Sequence, residues 1–157
     1  MPDSLLIYFF RRFGARVIDI VAVAAISLGV ATVFGITTLD KDSAPTLGAA
    51  FVQLVIGVAY EIPATAVWGQ TLGKRATNLR VVRVEDNWVP GWGRASLRYS
   101  VYIAIVLLSN LLGLLGSLVG LWALLLFLFD SRRQNVPDKA ARTLVVRAVP
   151  ASGDVVD

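Results

Sequence analysis

Apolar residues gather in three long blocks, at residues 17–38, 47–68 and 101–129, separated by shorter polar stretches. A helix that crosses the hydrocarbon core of a bilayer needs about 20 predominantly apolar residues. The first two blocks have this length, and a short polar stretch at 39–46 joins them. The pattern therefore predicts an antiparallel hairpin of two membrane helices over residues 17–68.

The third block is too long for one straight pass through a bilayer and short for two. As a single helix it would extend roughly 43 Å at 1.5 Å per residue, against a hydrocarbon core of about 30 Å. Asn110, Gly113 and Gly116 weaken helix propensity near its middle. The block is compatible with a single long helix or with a hairpin that bends within residues 109–117.

Basic residues favour the hairpin. Of the 15 lysines and arginines, all but Lys41 lie in the N-terminal segment, in residues 69–98 or in the tail after residue 130. Cytoplasmic loops of membrane proteins are enriched in Lys and Arg, so all three basic segments should face the cytoplasm. The third block must then enter the membrane and return. We predict an all-α membrane protein with about four membrane helices, of which residues 95–130 form a short or re-entrant hairpin, and with cytoplasmic N- and C-termini.

Two short runs rich in β-branched residues lie outside the apolar blocks, at 78–84 and 143–149. An isolated strand leaves its backbone groups unpaired, and pairing the two runs with each other would satisfy them. We therefore predict a small cytoplasmic β-element from 78–84 and 143–149 that ties the tail to the middle segment. The chain is then a single domain over 1–157, with an interfacial N-terminus at 1–9 and a flexible tail at 150–157.

Composition limits the chemistry that this chain can perform. Hydrophobic residues make up 56% and charged residues 17%, whereas soluble domains average about 45–50% and about 25%. The chain has no Cys and no His, which excludes disulfides, thiol nucleophiles, histidine-based catalysis and Cys/His metal sites. We expect no enzymatic activity, no catalytic residues, no metal and no cofactor. The excess of basic residues is explained by the membrane topology, so we expect no nucleic-acid partner.

Ionisable side chains within membrane helices are costly, and each is a candidate for function. Asp19 lies near the inner end of the first helix, and Glu61 lies deeper in the second, close to Pro63. Gln53 shares a helix face with Glu61. These three residues form a candidate site for an ion, a proton or a small polar ligand. The alternative is that the charges only hold helices together; that alternative is favoured for Asp19, and the ligand role is favoured for Glu61, which would be protonated if buried without a partner.

An ionised Asp19 needs a partner. Arg16 lies one turn away on the same helix, while Lys74 and Arg98 are the natural partners from other segments. Asp138 in the tail could neutralise Arg12 in the same way. The sequence thus predicts a charged network at the inner face of the membrane.

Four segments of this chain, in this order, resemble the RDD family of bacterial membrane proteins, which is named for one arginine and two aspartates. They are RFGARVID at 12–19, GQTLGKR at 69–75, GWGRASLR at 91–98 and DSRRQNVPDKAARTLVV at 130–146. The resemblance covers nearly the whole chain, from residue 10 to 149. It maps the family arginine to Arg12 and the two aspartates to Asp19 and Asp138.

The resemblance implies a multi-pass protein of the bacterial inner membrane that is transport-related. The candidate site of Asp19, Glu61 and Gln53 suggests an ion, a proton or a small polar ligand as the cargo. A non-catalytic accessory or scaffold subunit of a larger membrane complex is the alternative. The implied partners are the lipid bilayer and either further copies of the chain or a larger membrane complex. The spacing of Gly116 and Gly120 suits close helix packing, either within the third block or against another copy.

Overall fold

The computed structural model describes residues 5–35 and 47–148 of the chain. The predicted link at 39–46 and the predicted tail at 150–157 therefore lie outside the described residues. Helices dominate, and two short strands pair with each other. The helices are α1 (Leu5–Val33), α2 (Leu47–Pro63), α3 (Leu72–Ala76), α4 (Gly91–Leu111), α5 (Gly113–Leu125) and α6 (Val136–Ala140), and the strands are β1 (Leu79–Arg83) and β2 (Thr143–Arg147).

Two helical stretches are long and apolar enough to cross a membrane, Leu6–Val33 and Gly48–Trp68. The second includes a π-helical turn, Ala64–Trp68, that continues α2 after Pro63. A shorter apolar stretch covers Gly113–Leu128. Large apolar side chains on α1, α2 and α5 are exposed, which is the surface expected where lipid rather than water surrounds a protein.

The third apolar block folds as a hairpin. Helix α4 ends at Leu111, and Gly113 adopts φ +59°, which glycine tolerates at no steric cost. Helix α5 then returns along α4, because Gly116 packs against Ser109 while Gly120 reaches Ser109 and Ile105. The predicted bend within 109–117 is confirmed, and a single long helix is wrong.

The two predicted strands pair with each other, which confirms their predicted pairing. The pairing is antiparallel and sets Leu79 opposite Arg147 and Val81 opposite Val145. Backbone hydrogen bonds extend the pairing to residues 78–84 on one side and 142–148 on the other. Tyr8 of α1 donates its hydroxyl to the carbonyl of Val145 at 2.7 Å, so the tail is fastened to the first helix as well as to the middle segment.

The buried apolar core lies where the strand pair meets the N-terminal half of α1 and the end of α5. Its members are Tyr8, Ala15, Leu79, Val81, Phe127 and Val145. The predicted interfacial segment at 1–9 is thus helical from Leu5 onward, and it places Tyr8 in this core. Dense packing at this end of the molecule holds the charged side chains described next.

Candidate functional site

Asp19 is buried and is held by neutral donors. The hydroxyl of Tyr60 donates to its Oδ1 at 2.7 Å, and the backbone N–H of Gly73 donates to the same oxygen at 2.8 Å. The hydroxyl of Thr71 donates to Oδ2 at 2.6 Å. The carboxylate therefore fixes α3 and the residue that precedes it against α1.

Asp19 forms no ion pair with any cation in residues 5–35 and 47–148. The expectation that Arg16, Lys74 or Arg98 would pair with Asp19 is therefore wrong for the described residues. The reason is local backbone geometry, since the start of α3 brings a hydroxyl and an amide closer to the carboxylate than any basic head group.

Gly73 permits this arrangement because its backbone lies directly against α1. A Cβ at this position would overlap the carbonyl oxygen of Ala15 and would lie 2.9 Å from Cγ of Asp19. Neither backbone can withdraw without breaking the hydrogen bond from Gly73 to Asp19. Only glycine is compatible with the approach of these two helices.

Glu61 is paired with two cations from different segments. Its Oε2 lies 2.9 Å from Nη1 of Arg16, and its Oε1 lies 3.6 Å from Nζ of Lys74. The guanidinium of Arg16 also lies over the ring of Tyr102, 4.0 Å from its centroid. The condition under which the sequence predicted a protonated Glu61, burial without a partner, is not met, because α1 and α3 both bring a cation to it.

Lys74 connects the two carboxylates. Its Nζ donates to Oγ1 of Thr71 at 3.2 Å, and Thr71 in turn donates to Asp19. Burial lowers the pKa of Lys74 from its ordinary value, and the attraction of Glu61 opposes that effect. A change in the charge of Glu61 would therefore be felt at Asp19 through one lysine and one hydroxyl.

Asp138 is fully buried and is shared by two arginines. Its Oδ2 lies 3.1 Å from Nη2 of Arg12, and its Oδ1 lies 2.9 Å from Nε of Arg98. Asp138 also forms a capping box with Asn135 at the start of α6. The predicted neutralisation of Arg12 by Asp138 is confirmed. Arg98, expected as a partner of Asp19, belongs to this second group.

Arg12 is further held by two aromatic rings. Its guanidinium carbon lies 4.9 Å from the centroid of Tyr8 and 4.7 Å from that of Phe127. Such contacts favour an arginine that has been removed from water. The Arg12–Asp138 pair thus joins the first helix, the end of the α4–α5 hairpin and the tail.

A cavity of about 500 Å³ opens between α1, α2 and α4. The three residues that the sequence nominated as a ligand site, Asp19, Glu61 and Gln53, all line it, together with Arg16. Most of the remaining lining is apolar. Glu61 and Gln53 are eight residues apart, which is roughly 12 Å along a helix. Glu61 therefore lies at the charged end of the cavity, and Gln53 lies farther along its wall.

Sequence reasoning missed several residues of the site. Tyr60 and Thr71 carry hydroxyl groups, which are common in any helix or loop and give no pattern by themselves. Gly73 and Thr71 do lie within the GQTLGKR segment that carries the family resemblance. The family resemblance of that segment indicates that it is important. Sequence spacing predicts neither its contact with Asp19 nor the contact of Arg16 with the ring of Tyr102.

The model of the RDD family matches residues 8–142, which is most of the chain. The chain belongs to the RDD family. No curated protein and no solved structure matches the chain. In this RDD protein the matched residues contain Arg12, Asp19 and Asp138, the three positions that the resemblance assigned to the family charges.

Two of these three charges bind each other in this RDD protein, while the third has separate partners. Arg12 pairs with Asp138 across 126 positions of sequence. Asp19 instead binds Tyr60, Thr71 and Gly73. The family charges therefore fasten two different segments to the same helix, the tail and the middle segment respectively.

Proposed function

We propose that this RDD protein is a multi-pass protein of the bacterial inner membrane, with α1, α2 and the α4–α5 hairpin within the bilayer and both termini in the cytoplasm. Two helices of sufficient length and the apolar α5 support this topology. The N-terminal segment, the middle segment and the tail carry all the basic residues except Lys41. Since Lys and Arg are enriched on the cytoplasmic side of a membrane, this supports a position of all three segments on that side. The strand pair would then be cytoplasmic.

The proposed role is non-catalytic movement of a small polar or ionic solute through the cavity between α1, α2 and α4. One observation carries this proposal: a largely apolar cavity of about 500 Å³ is lined at its charged end by Asp19, Glu61 and Arg16. Apolar cavities with a few convergent polar groups are the usual form of small-ligand sites. Carboxylates at membrane depth are commonly parts of ion or proton pathways.

Glu61 is the residue proposed to respond to the cargo. It is shared by Arg16 and Lys74, so a cation or a proton that binds Glu61 competes with both. Loss of the contact at 3.6 Å would leave Lys74 with Thr71 alone among its described partners. Binding at Glu61 would in this way loosen the connection to Asp19 and to α3.

Flux through liposomes tests the proposed role. Purified protein is reconstituted, and proton and alkali-cation movement is measured for the wild type and for Glu61→Gln. We expect a loss of about tenfold or more in the variant, because a charged hydrogen-bonding partner is worth about 1.5–3 kcal/mol. Glu85→Gln is the matched control, since Glu85 is exposed and pairs only with Arg94 among the described residues. Equal flux in wild type and Glu61→Gln would contradict the proposal.

An accessory or scaffold role is the second candidate. It is favoured by the observation that Glu61 and Asp138 are each already paired with two cations of the same chain, as expected if the charges only hold segments together. This role predicts no flux from the purified chain and a defined membrane partner that remains bound after gentle detergent extraction. Recovery of the chain alone from native membranes would count against it.

A further inference from the structure

A second cavity of about 250 Å³ lies next to the first and shares Arg16, Asp19 and Glu61 with it. Three further cations line this second cavity and not the first, namely Arg12, Lys74 and Arg98. We call it the basic cavity. It lies within the core end of the molecule, where Leu79 and Val145 of the strand pair contribute to its lining.

Positive charge exceeds negative charge around the basic cavity. Four cations line it, and the three nearby carboxylates are Asp19, Glu61 and Asp138. Glu61 and Asp138 each form ion pairs with two of these cations, while Asp19 forms none among the described residues and attracts Lys74 at longer range. Four cations and three carboxylates leave one excess positive charge. An uncompensated charge away from water is costly, so an anion within this cavity would be stabilising.

Hydrogen-bond donors at the basic cavity also remain unused. Nη1 of Arg98 and Nε of Arg12 are buried without a hydrogen-bond acceptor in residues 5–35 and 47–148. Nε of Arg98 is already paired with Oδ1 of Asp138, at 2.9 Å. Among the described residues Nζ of Lys74 donates one hydrogen bond, to Thr71, and lies 3.6 Å from Glu61, although an ammonium has three donors. Buried donors in native proteins nearly always have a partner.

One wall of the basic cavity is apolar and reaches the surface between α1 and α5. Phe13 and Leu121 line this wall, and both are more than half exposed at 59% and 55%. Phe9 and Leu124 continue the wall inward. A ligand with a charged head and an apolar body would satisfy both parts of this lining.

We propose that the basic cavity binds an oxyanion of the phosphate type, held by Arg98, Lys74 and Arg12. Several guanidinium and ammonium donors converging on one space are the chemistry that recognises a phosphate. The apolar wall favours an anionic phospholipid as the source, with its phosphate at the cations and an acyl chain between α1 and α5. Basic pockets between membrane helices on the cytoplasmic side are typical sites for such head groups.

This inference uses part of the charged cluster of the proposed function but does not depend on transport. Binding to purified protein is measured without any gradient. If the protein binds the anion but moves no solute, the anion site stands and the proposed transport role falls. If the protein moves solute but binds no anion, the transport role stands and the anion site falls.

The experiment uses the full chain, purified in an uncharged detergent, in two arms. In the first arm inorganic phosphate is titrated at constant ionic strength, and in the second arm phosphatidylglycerol is added in mixed micelles, with phosphatidylcholine as the reference lipid. The readouts are the unfolding temperature and, by native mass spectrometry, the bound mass. We expect a saturable rise of the unfolding temperature and retention of bound lipid in the second arm.

Arg98→Gln and Lys74→Gln should each weaken the apparent affinity about tenfold or more, as expected for the loss of a charge-assisted hydrogen bond. Arg75→Gln is the matched control, because it removes the same charge from an exposed residue of α3 outside both cavities and should bind as the wild type does. If Arg98→Gln does not fold, the affinity of Lys74→Gln and the mass of lipid bound to the wild type still test the proposed site. Response to phosphate alone would support the oxyanion site with a free anion as its source. No response in either arm, or equal weakening by Arg75→Gln, would overturn the proposal.

Discussion

Asp19 and Asp138 are both buried carboxylates, 3% and 0% exposed, yet the protein stabilises them by opposite means. Asp19 accepts hydrogen bonds from two hydroxyls and one backbone amide. Asp138 is matched by Arg12 and Arg98. Neutral donors fix the position of a nearby backbone, whereas a shared carboxylate joins cations from segments far apart in sequence.

The difference between Asp19 and Asp138 predicts which of the two carboxylates can be replaced by an amide at lower cost in stability. A carboxylate with neutral donors can become an amide and still accept hydrogen bonds, because the donors carry no charge. A carboxylate between two arginines cannot, because its loss leaves two buried cations unmatched. Four predictions extend this comparison, beginning with the largest effect.

Asp138→Asn should lower the free energy of unfolding by about 3–5 kcal/mol, the cost of breaking a buried ion pair by removing one partner. Denaturant unfolding in detergent measures it. Adding Arg12→Gln should cost less than the sum of the single substitutions, because Arg12 is no longer left unpaired. A cycle between Asp19 and Arg98, which share no hydrogen bond or ion pair in the described structure, should show a smaller interaction energy than the cycle between Arg12 and Asp138. Strong coupling between Asp19 and Arg98 would refute the assignment of partners.

Gly73→Ala should lower the free energy of unfolding by about 3 kcal/mol, at the upper end of the usual cost of overpacking. The added methyl group would overlap the backbone of Ala15 and would break the hydrogen bond that the backbone N–H of residue 73 donates to Asp19. Gly93→Ala is the control, since a Cβ there meets nothing within 4 Å. Thermal unfolding of both variants should show a large loss at residue 73 and little change at residue 93; equal losses would contradict the close approach of α3 to α1.

Asp19→Asn should cost about 1–3 kcal/mol, the range for leaving part of a buried hydrogen-bond group unsatisfied. The amide retains one acceptor oxygen for Tyr60 and Gly73, while the hydroxyl of Thr71 can turn to accept from the new NH₂ group. Tyr60→Phe should cost about 1 kcal/mol, the net worth of one such bond. Denaturant unfolding of these variants beside Asp138→Asn tests the comparison directly. It fails if Asp19→Asn is the more damaging of the two aspartate substitutions.

Asp130 provides the smallest effect, because its contacts lie near the surface. The hydrogen bond from Lys139 is the main cause that lowers the pKa of Asp130 below its ordinary value, with a further contribution from the amide of Gln134. Because the pKa of Asp130 is lower in the folded state, the pair stabilises the fold when the pH is above the ordinary pKa of an aspartate. This stabilisation is lost as the pH falls through the lowered pKa. Water screens this pair, so the gain is under about 1 kcal/mol.

The stability difference between wild type and Asp130→Asn, followed by unfolding at a series of pH values, should therefore be present at neutral pH and vanish in acid. A stability difference that grows as pH falls would contradict the predicted lowering of the pKa of Asp130. Lys139→Gln should behave like Asp130→Asn, because it removes the other partner of the same pair.

Much of the architecture could be predicted from local pattern. The bend in the third apolar block followed from Asn110, Gly113 and Gly116, since weak helix formers and a glycine at positive φ end a helix. The pairing of 78–84 with 143–149 followed from the need of two lone strands for partners. The attraction of Arg12 and Asp138 followed from charge balance in a membrane protein.

The partners of Asp19 and Glu61 could not be predicted in the same way. Several cations were candidates for each carboxylate, and sequence spacing ranks them only within one helix. The helix of Glu61 offers no cation within one turn, yet Arg16 and Lys74 reach Glu61 from α1 and α3. Hydroxyl and backbone donors, which Asp19 uses, have no signature in a charge pattern.

By itself the sequence determined the apolar helices and the hairpin bend, because these depend on composition and on residues close in the chain. It also determined the strand pairing, because two lone strands each need a partner, and membership of the RDD family, because four matching segments follow in order. Only the tertiary structure decided which carboxylate meets which donor and where the two cavities lie. That choice depends on distances of a few ångströms between segments up to 126 positions apart, and such distances are set by packing contacts such as Gly73 against Ala15.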